Sequence, residues 1–184
     1  RSKFRKLENA GVTFFIAETK EERQTLCRSI LLQKQQRFDA MGRENLLSDG
    51  TLAEFYQKLA ASPYPESPAI FFGFRKDDEI VAATMAMLSG TAVQAVLLSI
   101  GDARWHPMSP GVVLLSRVLD WAQSMEFASF GFGTGNQLYK QRFGATSEHM
   151  KKISLPLSRV GRAYMVMKSM KDGIGQNLVR VSSS

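Results

Sequence analysis

The spacing of apolar residues along the chain predicts alternating short strands and helices. Apolar runs rich in β-branched and aromatic residues, bounded by turn residues, are typical of strands, and apolar residues every three to four positions are typical of helices. The resulting order, βαα-βββ-αβαβ, predicts an α/β three-layer sandwich with a mixed central sheet flanked by helices. The predicted strands cover 12–17, 69–75, 80–89, 91–100, 128–132 and 150–155, and the predicted helices cover 20–41, 51–61, 110–126 and 136–143.

The helix predicted over 110–126 is apolar around most of its circumference. Its polar residues form one narrow stripe, which is typical of a helix pressed onto a sheet. That stripe consists of Ser116, Arg117, Asp120, Gln123 and Ser124. Further on, 160–170 is a candidate helix that follows the last predicted strand.

Composition describes a globular chain of one domain's length, with 184 residues, 44% hydrophobic and 22% charged. No apolar run approaches the roughly 20 residues of a membrane span, and the basic start is not followed by the apolar core of a secretory signal. The single cysteine, Cys27, excludes an internal disulfide and fits a reducing compartment. We therefore expect a cytoplasmic protein.

The net charge of +7 is carried entirely by the last part of the chain. Basic and acidic residues balance at fifteen each through residue 139, whereas 140–184 holds nine basic residues and two acidic ones. This basic segment is either a solvated tail or a contact for an anionic cofactor, substrate, membrane surface or second domain. Nucleic acid is a less favoured partner, because interleaved aromatics and recognition motifs are missing.

The segment Ser109-Pro110-Gly111 predicts an anion site at the start of the 110–126 helix. Ser109 is a candidate cap whose side chain accepts from a free amide, and Pro110 suits the first helical position. Gly111 would let a ligand approach the open amides, which suit a phosphate. We accordingly expect Gly111→Val to abolish ligand binding with little effect on stability.

These motifs together resemble the GNAT acyltransferases. Ser109-Pro110-Gly111 precedes a Leu-rich helix ending in Trp121-Ala122, and a Tyr-Lys-x-Arg-Phe-Gly run occupies 139–144. The nearest resemblance is to the CelD/BcsL type, linked to bacterial polysaccharide and cellulose biosynthesis. The 138–144 run is also similar to the lysine motif of Fem-type peptidoglycan aminoacyltransferases. The resemblance covers 1–157, with 1–10 as a linker helix, and leaves 158–184 as a basic C-terminal extension outside the catalytic core.

The resemblance implies a cofactor, acyl-CoA, with acetyl-CoA as the default. It implies a pyrophosphate cradle at the helix start and a strand that pairs with the pantetheine arm. Arg142 is a candidate for gripping a phosphate. The implied cofactor-binding residues are Leu97, Leu98, Ser99, Met108, Ser109, Gly111, Val112 and Arg142.

Three residues are candidates for catalysis, and for Lys140 the role is the one that the resemblance to the Fem-type lysine implies. Lys140 would place a positive charge beside the tetrahedral intermediate, or else is a surface lysine. Tyr139 could protonate the leaving thiolate or merely pack on the sheet, and His106 titrates in a useful range but could simply shape a loop. The family commonly has acidic residues before its Tyr-Lys pair, whereas this chain has Gly131, Asn136 and Gln137.

Three functions remain open from the sequence. The first is an acyl-CoA-dependent N- or O-acyltransferase acting on a sugar, polysaccharide precursor or related amine, so that the partner is a small-molecule or glycan acceptor. The second is a Fem-like aminoacyltransferase that uses charged tRNA. The third is a non-catalytic GNAT-like binding module that docks a partner through its basic tail. A second GNAT-like lobe or a protein partner is a candidate partner of the chain.

Overall fold

The computed structural model describes residues 2–42, 50–135, 137–147 and 158–167. The helices are α1 (Ser2–Asn9), α2 (Lys20–Ala40), α3 (Gly50–Ala61), α4 (Pro110–Ser124) and α5 (Leu138–Arg142). The strands are β1 (Thr13–Ile16), β2 (Ala69–Lys76), β3 (Glu79–Ser89), β4 (Ala92–Ile100) and β5 (Ser129–Gly131), and a 3-10 helix, η1, covers Ala103–Met108. All of these lie in the first of two compact units, Arg1–Gly144.

The strands form one mixed sheet in the order β1-β2-β3-β4-β5. The pairs β1–β2, β2–β3 and β3–β4 are antiparallel, and the pair β4–β5 is parallel. A parallel neighbour needs a crossover connection, and α4 supplies it between β4 and β5. The predicted mixed sheet is confirmed.

Two apolar clusters lie on opposite faces of this sheet. One joins the sheet to α1 and α4 and includes Leu7, Phe72 and Leu114. The other joins the opposite face to α2 and α3 and includes Leu26 and Phe71. Because alternate strand residues point to opposite faces, the nearly continuous apolar strands serve both clusters, and the predicted three-layer sandwich is confirmed.

The N-terminal helix α1 packs within this unit. Leu7 is fully buried, and the rings of Phe4 and Phe74 lie 6.3 Å apart between centroids. The guanidinium of Arg117, on α4, lies 4.5 Å from the centre of the Phe4 ring. The helix predicted over 1–10 therefore contributes directly to the core around α4.

The largest departure from the predicted elements is β5. A buried strand over 128–132 is predicted, but β5 has three residues, and all of them are partly or fully exposed. The chain leaves the ladder after Gly131 and reaches a positive φ at Gly133, a backbone conformation that does not continue a strand.

Helix α3 ends at Ala61, two residues before Pro63, which confirms its predicted end.

The second unit, Ala145–Ser184, is described only in part. Residues 159–167 are helical, which agrees with that part of the helix predicted over 160–170. The strand predicted over 150–155 lies outside the described residues. So do Ser48 and Asp49, one of which is expected from the sequence to cap the helix predicted over 51–61. The proposed boundary at 157 stays a prediction. Among the helices described, none has the length and apolarity to cross a membrane.

Candidate active site

Strand β4 carries a bulge at Val96. The β3–β4 register places Met85 opposite Leu97 and Ala86 opposite Ala95, so Val96 is an extra residue on β4. A bulge bends its strand and increases the local twist, and bulges are common next to active sites. Beyond the bulge, β4 continues its pairing with β3 as far as Ile100.

The second half of β4 has an open edge. Its pairing with β5 covers only Ala92, Val93 and Gln94, and within the described residues no strand pairs with that edge of 95–100. The Leu97 carbonyl accepts from Thr84 Oγ1 at 2.7 Å, and the Gly101 amide donates to Val81 at 2.9 Å, so the backbone groups of both residues face β3. Since backbone groups alternate along a strand, those of Leu98 and Ile100 face the open edge.

Among the strand residues expected to hold a cofactor, Leu98 is thus the one whose backbone is available. Ser99 is buried, and its hydroxyl donates to the Gln33 amide oxygen at 2.7 Å. Gln33 in turn donates to the Ile80 carbonyl at 2.8 Å. Ser99 therefore ties β4 to α2, on the side of the sheet opposite to α4.

The connection from β4 to α4 is anchored by η1. Asp102 caps it by accepting from the Arg104 amide at 2.8 Å, and the buried Trp105 indole donates to Glu79 at 2.8 Å. Glu79 also forms an ion pair with Arg104. These contacts fix the loop that delivers the chain to the start of α4.

The start of α4 confirms Pro110 at the first helical position but not the side-chain cap. Ser109 has a left-handed backbone with φ 52°, and its hydroxyl makes no capping bond. Its side chain accepts from Lys3 Nζ at 2.7 Å, while its carbonyl accepts from the amides of Val112 and Val113. The capping prediction is wrong because this backbone conformation turns the hydroxyl toward α1.

Gly111 has a packing role that the sequence did not suggest. A Cβ on this buried residue would lie 3.0 Å from Ile100 Cδ1, so the missing side chain leaves room for β4 rather than for a ligand. This contact favours a loss of stability in Gly111→Val over the little effect expected from the sequence, and the effect of that substitution stays a prediction. In the described part of the chain the Gly111 amide donates to no protein acceptor, which leaves it free for an anion.

The loop after β5 lies against β4. A Cβ on Gly131 would lie 2.0 Å from Gln94 Oε1, and one on Gly133 would lie 3.2 Å from the Ala95 carbonyl oxygen. The Gln94 side chain thus occupies the space that a side chain at Gly131, on β5, would need. Gln94 is not among the residues predicted for the site. The Gly131-x-Gly133 pattern could have indicated that a side chain lies there, because glycines in a strand mark close approaches.

Lys140 lies at the centre of this loop. Its side chain is only 8% exposed, and Nζ donates to the carbonyls of Gly133, Thr134 and Gly135 at 2.9, 2.8 and 3.0 Å. An ammonium has three donors, so all of them are engaged. Burial lowers the pKa of Lys140, while the three carbonyls favour its charged form. Its role beside a tetrahedral intermediate stays a prediction.

The other predicted residues lie on α5, on η1 and at the start of α4. Tyr139 is half-buried on α5, and burial raises the pKa of its hydroxyl, which keeps it protonated. Arg142 is exposed on α5, and His106 is exposed on η1. Met108 and Val112 are partly buried beside the start of α4. The roles of these five residues stay predictions.

Comparison with known proteins gives a family and a fold. The family model described as the acetyltransferase (GNAT) domain matches residues 1–141. A search of curated protein sequences finds no match. The solved structures that resemble this one include an aminoglycoside acetyltransferase from an uncultured soil metagenomic sample, in complex with sisomicin. Its TM-score is 0.56 at 13% identity, and the match covers 83% of this chain and 99% of that one.

A second similar structure is a predicted acetyltransferase with acetyl-CoA from Clostridium acetobutylicum. Its TM-score is 0.53 at 14% identity, and the match covers 79% of this chain and 96% of that one. Identities this low establish a common fold, whereas the family model spans most of the chain and includes the bulged β4, the start of α4 and most of α5. The chain therefore belongs to the GNAT acetyltransferase family.

Proposed function

We propose that the protein transfers an acyl group, with acetyl as the default, from acyl-CoA to an amine or hydroxyl of a sugar-like acceptor. The observation that carries this proposal is the open edge of β4 beyond the bulge at Val96, which leads directly to the free amide at the start of α4. An extended amide-bearing arm pairs naturally with an unpaired strand edge. The diphosphate at its end then meets a helix N-terminus.

The residues present fit the cofactor in charge as well as in shape. The Gly111 amide and the positive end of the α4 dipole would hold the pyrophosphate, and Lys3 adds a cation within hydrogen-bonding distance of Ser109. The Leu98 backbone would pair with the pantetheine arm. Met108, Val112 and Arg142 belong to the same proposed binding surface. Bound acyl-CoA supplies an activated thioester carbon.

The proposed acid is Tyr139. A tyrosine hydroxyl is protonated at neutral pH, and burial raises the pKa of Tyr139 further above its ordinary value. It can therefore give a proton to the departing sulfur, a contribution of general acids that is typically on the order of 10²–10⁴-fold. His106, on η1, is the candidate to accept a proton from the acceptor, since 127–147 contains no acidic residue.

An amino sugar is the acceptor class that we favour. One similar solved structure is an aminoglycoside acetyltransferase in complex with sisomicin, an amine-bearing acceptor. The CelD/BcsL resemblance implies a polysaccharide precursor, and one that carries a free amine would belong to the same chemical class. An uncharged amine is also a better nucleophile than a sugar hydroxyl, which matters in a site without a strong base.

The test is a thiol-release assay with acetyl-CoA and a panel of amino sugars and their N-acetylated or hydroxyl counterparts. We expect release with free amines, and a loss of about 100-fold in kcat for Tyr139→Phe, as for removal of a general acid. Acetyl-CoA binding without release on any acceptor would instead indicate a binding module. Full activity of Tyr139→Phe would overturn the proposed acid.

A further inference from the structure

The short helix α5 depends on tertiary contacts for its position. It has five residues, Leu138–Arg142, and a helix of this length is not stable by itself in water. Its first residue is 73% exposed, so the start of α5 is not held by apolar burial. The contacts that hold this segment include those of the Lys140 ammonium and the ring of Phe143, which stacks on Phe132 at 5.1 Å.

The Lys140 ammonium joins α5 to the loop that precedes it. Three successive carbonyls, those of Gly133, Thr134 and Gly135, point at a single nitrogen within 3.0 Å. Gly133 and Gly135 both have positive φ, the backbone region that glycine reaches at no steric cost. The Lys140 ammonium thus holds the 133–135 loop in a closed conformation by binding its three carbonyl oxygens.

The same loop touches β4 next to the bulge. The α-carbon of Gly133 lies close enough to Ala95 that a Cβ there would be 3.2 Å from the Ala95 carbonyl oxygen. Ala95 is the residue before Val96. An unbroken series of contacts thus runs from the bulged strand through Gly133 to Lys140, and from Lys140 to its neighbour Tyr139.

We propose that Lys140 is a positioning residue, which sets where Tyr139 lies relative to the bulged strand by clamping the Gly133–Gly135 loop. This inference rests on the proposed acid role of Tyr139. The ammonium's donors are directed to the loop, so Lys140 acts through Tyr139 and not by contact with the reacting atoms. A lysine is suited to this because its three donors match three carbonyls, whereas the planar fork of arginine does not.

The first test uses hydrogen exchange, which needs no activity. In Lys140→Met we expect faster exchange across 133–144 than in the wild type. Lys58→Met is the matched control, because Lys58 is an exposed lysine paired only with Glu54 on α3. Unchanged exchange across 133–144 in Lys140→Met would overturn the clamp, whatever the activity of the variant.

The second test is a double-mutant cycle on kcat/KM with acetyl-CoA and an accepted amine. Lys140→Met should lower kcat/KM in the wild-type background and change it by no more than about twofold in the Tyr139→Phe background, because residues that act as a unit are not additive. Lys140→Arg should recover little of the loss. An equal fold loss in both backgrounds would overturn the proposal in favour of direct charge stabilisation.

The two tests separate this inference from the proposed function. If Tyr139→Phe alone retains wild-type kcat/KM, the acid role and any action of Lys140 through it both fail. In that case the exchange result still decides whether Lys140 clamps the loop.

Discussion

The proposed site has two parts that are built in different ways: the β4–α4 side, where the cofactor is proposed to bind, and the β5–α5 side, which carries Tyr139 and Lys140. The β4–α4 side is part of the core: Leu114 and Leu115 on α4 are buried, and Gly111 lets the helix approach Ile100. The β5–α5 side has a three-residue strand and a five-residue helix, held by a lysine, an aromatic stack and a glutamine over glycine. The β4–α4 side is therefore stabilised by the hydrophobic effect, whereas the β5–α5 side depends on a few individual contacts.

The largest expected effect contrasts two leucines. Leu114→Ala, in the fully buried part of α4, should cost about 2–5 kcal/mol of unfolding free energy through lost burial and a cavity. Leu138→Ala, at an exposed position on α5, should change it by no more than about 0.5 kcal/mol. Denaturant unfolding measures both. Similar losses in the two variants would mean that the two sides are equally part of the core.

The next effect concerns the close approach at the start of α4. Gly111→Val should destabilise the protein by about 1–3 kcal/mol, since the added side chain meets Ile100 on β4. Gly111→Ala should cost less, and adding Ile100→Val to it should recover part of the loss. Thermal unfolding of the three variants tests this. A melting temperature of Gly111→Val equal to that of wild type would restore the simpler interpretation, in which the glycine serves only a ligand.

A third prediction uses pH to test whether the α2 face is sealed from solvent. Burial raises the pKa of the Cys27 thiol to about 11. The thiol of the unfolded chain has a lower pKa, about 8.5. Burial of the neutral thiol therefore does not reduce stability below about pH 8.5, and the folded state loses stability relative to the unfolded state as the pH rises from there toward the pKa of the folded protein. Between pH 8 and pH 10 this difference in pKa should lower the stability of the wild type by roughly 2 kcal/mol, and replacing Cys27 with alanine should remove that loss. Parallel pH profiles for the two proteins would argue that Cys27 is accessible.

The smallest effect is expected on the β5 side. Gly131→Ala places a Cβ against the end of the flexible Gln94 side chain, which can move, so the loss should stay below about 1 kcal/mol. Combining it with Gln94→Ala should restore wild-type stability within about 0.5 kcal/mol. A large loss that the second substitution does not relieve would show that the backbone of β5, and not the side chain of Gln94, is what lies too close.

The parts of the fold that follow from periodicity were predictable. Strands β2, β3 and β4 and helices α2 and α4 agree with the predicted elements within one or two residues, because their apolar patterns are long. Strand β5 is too short to carry a period. Its last residue, Gly131, lies against Gln94, a residue some 35 positions earlier that no local pattern connects to it.

The candidate site was predictable as a set of segments but not as a set of side-chain directions. Pro110 is where the sequence places it, whereas Ser109 turns toward Lys3 and Lys140 turns toward its own loop. Both directions depend on backbone conformations with positive φ, at Ser109 and at two glycines. Such conformations are set by the tertiary fold, and a motif does not encode them.

The most direct test of the central claim is hydrogen exchange with and without acetyl-CoA. If the cofactor lies along the open edge of β4 and ends at the start of α4, amides in 96–100 and 111–113 should be protected, with Leu98 and Gly111 changing most. Strand β1, at the far side of the sheet, should not change. Binding that protects neither segment, or protects β1 equally, would contradict the account.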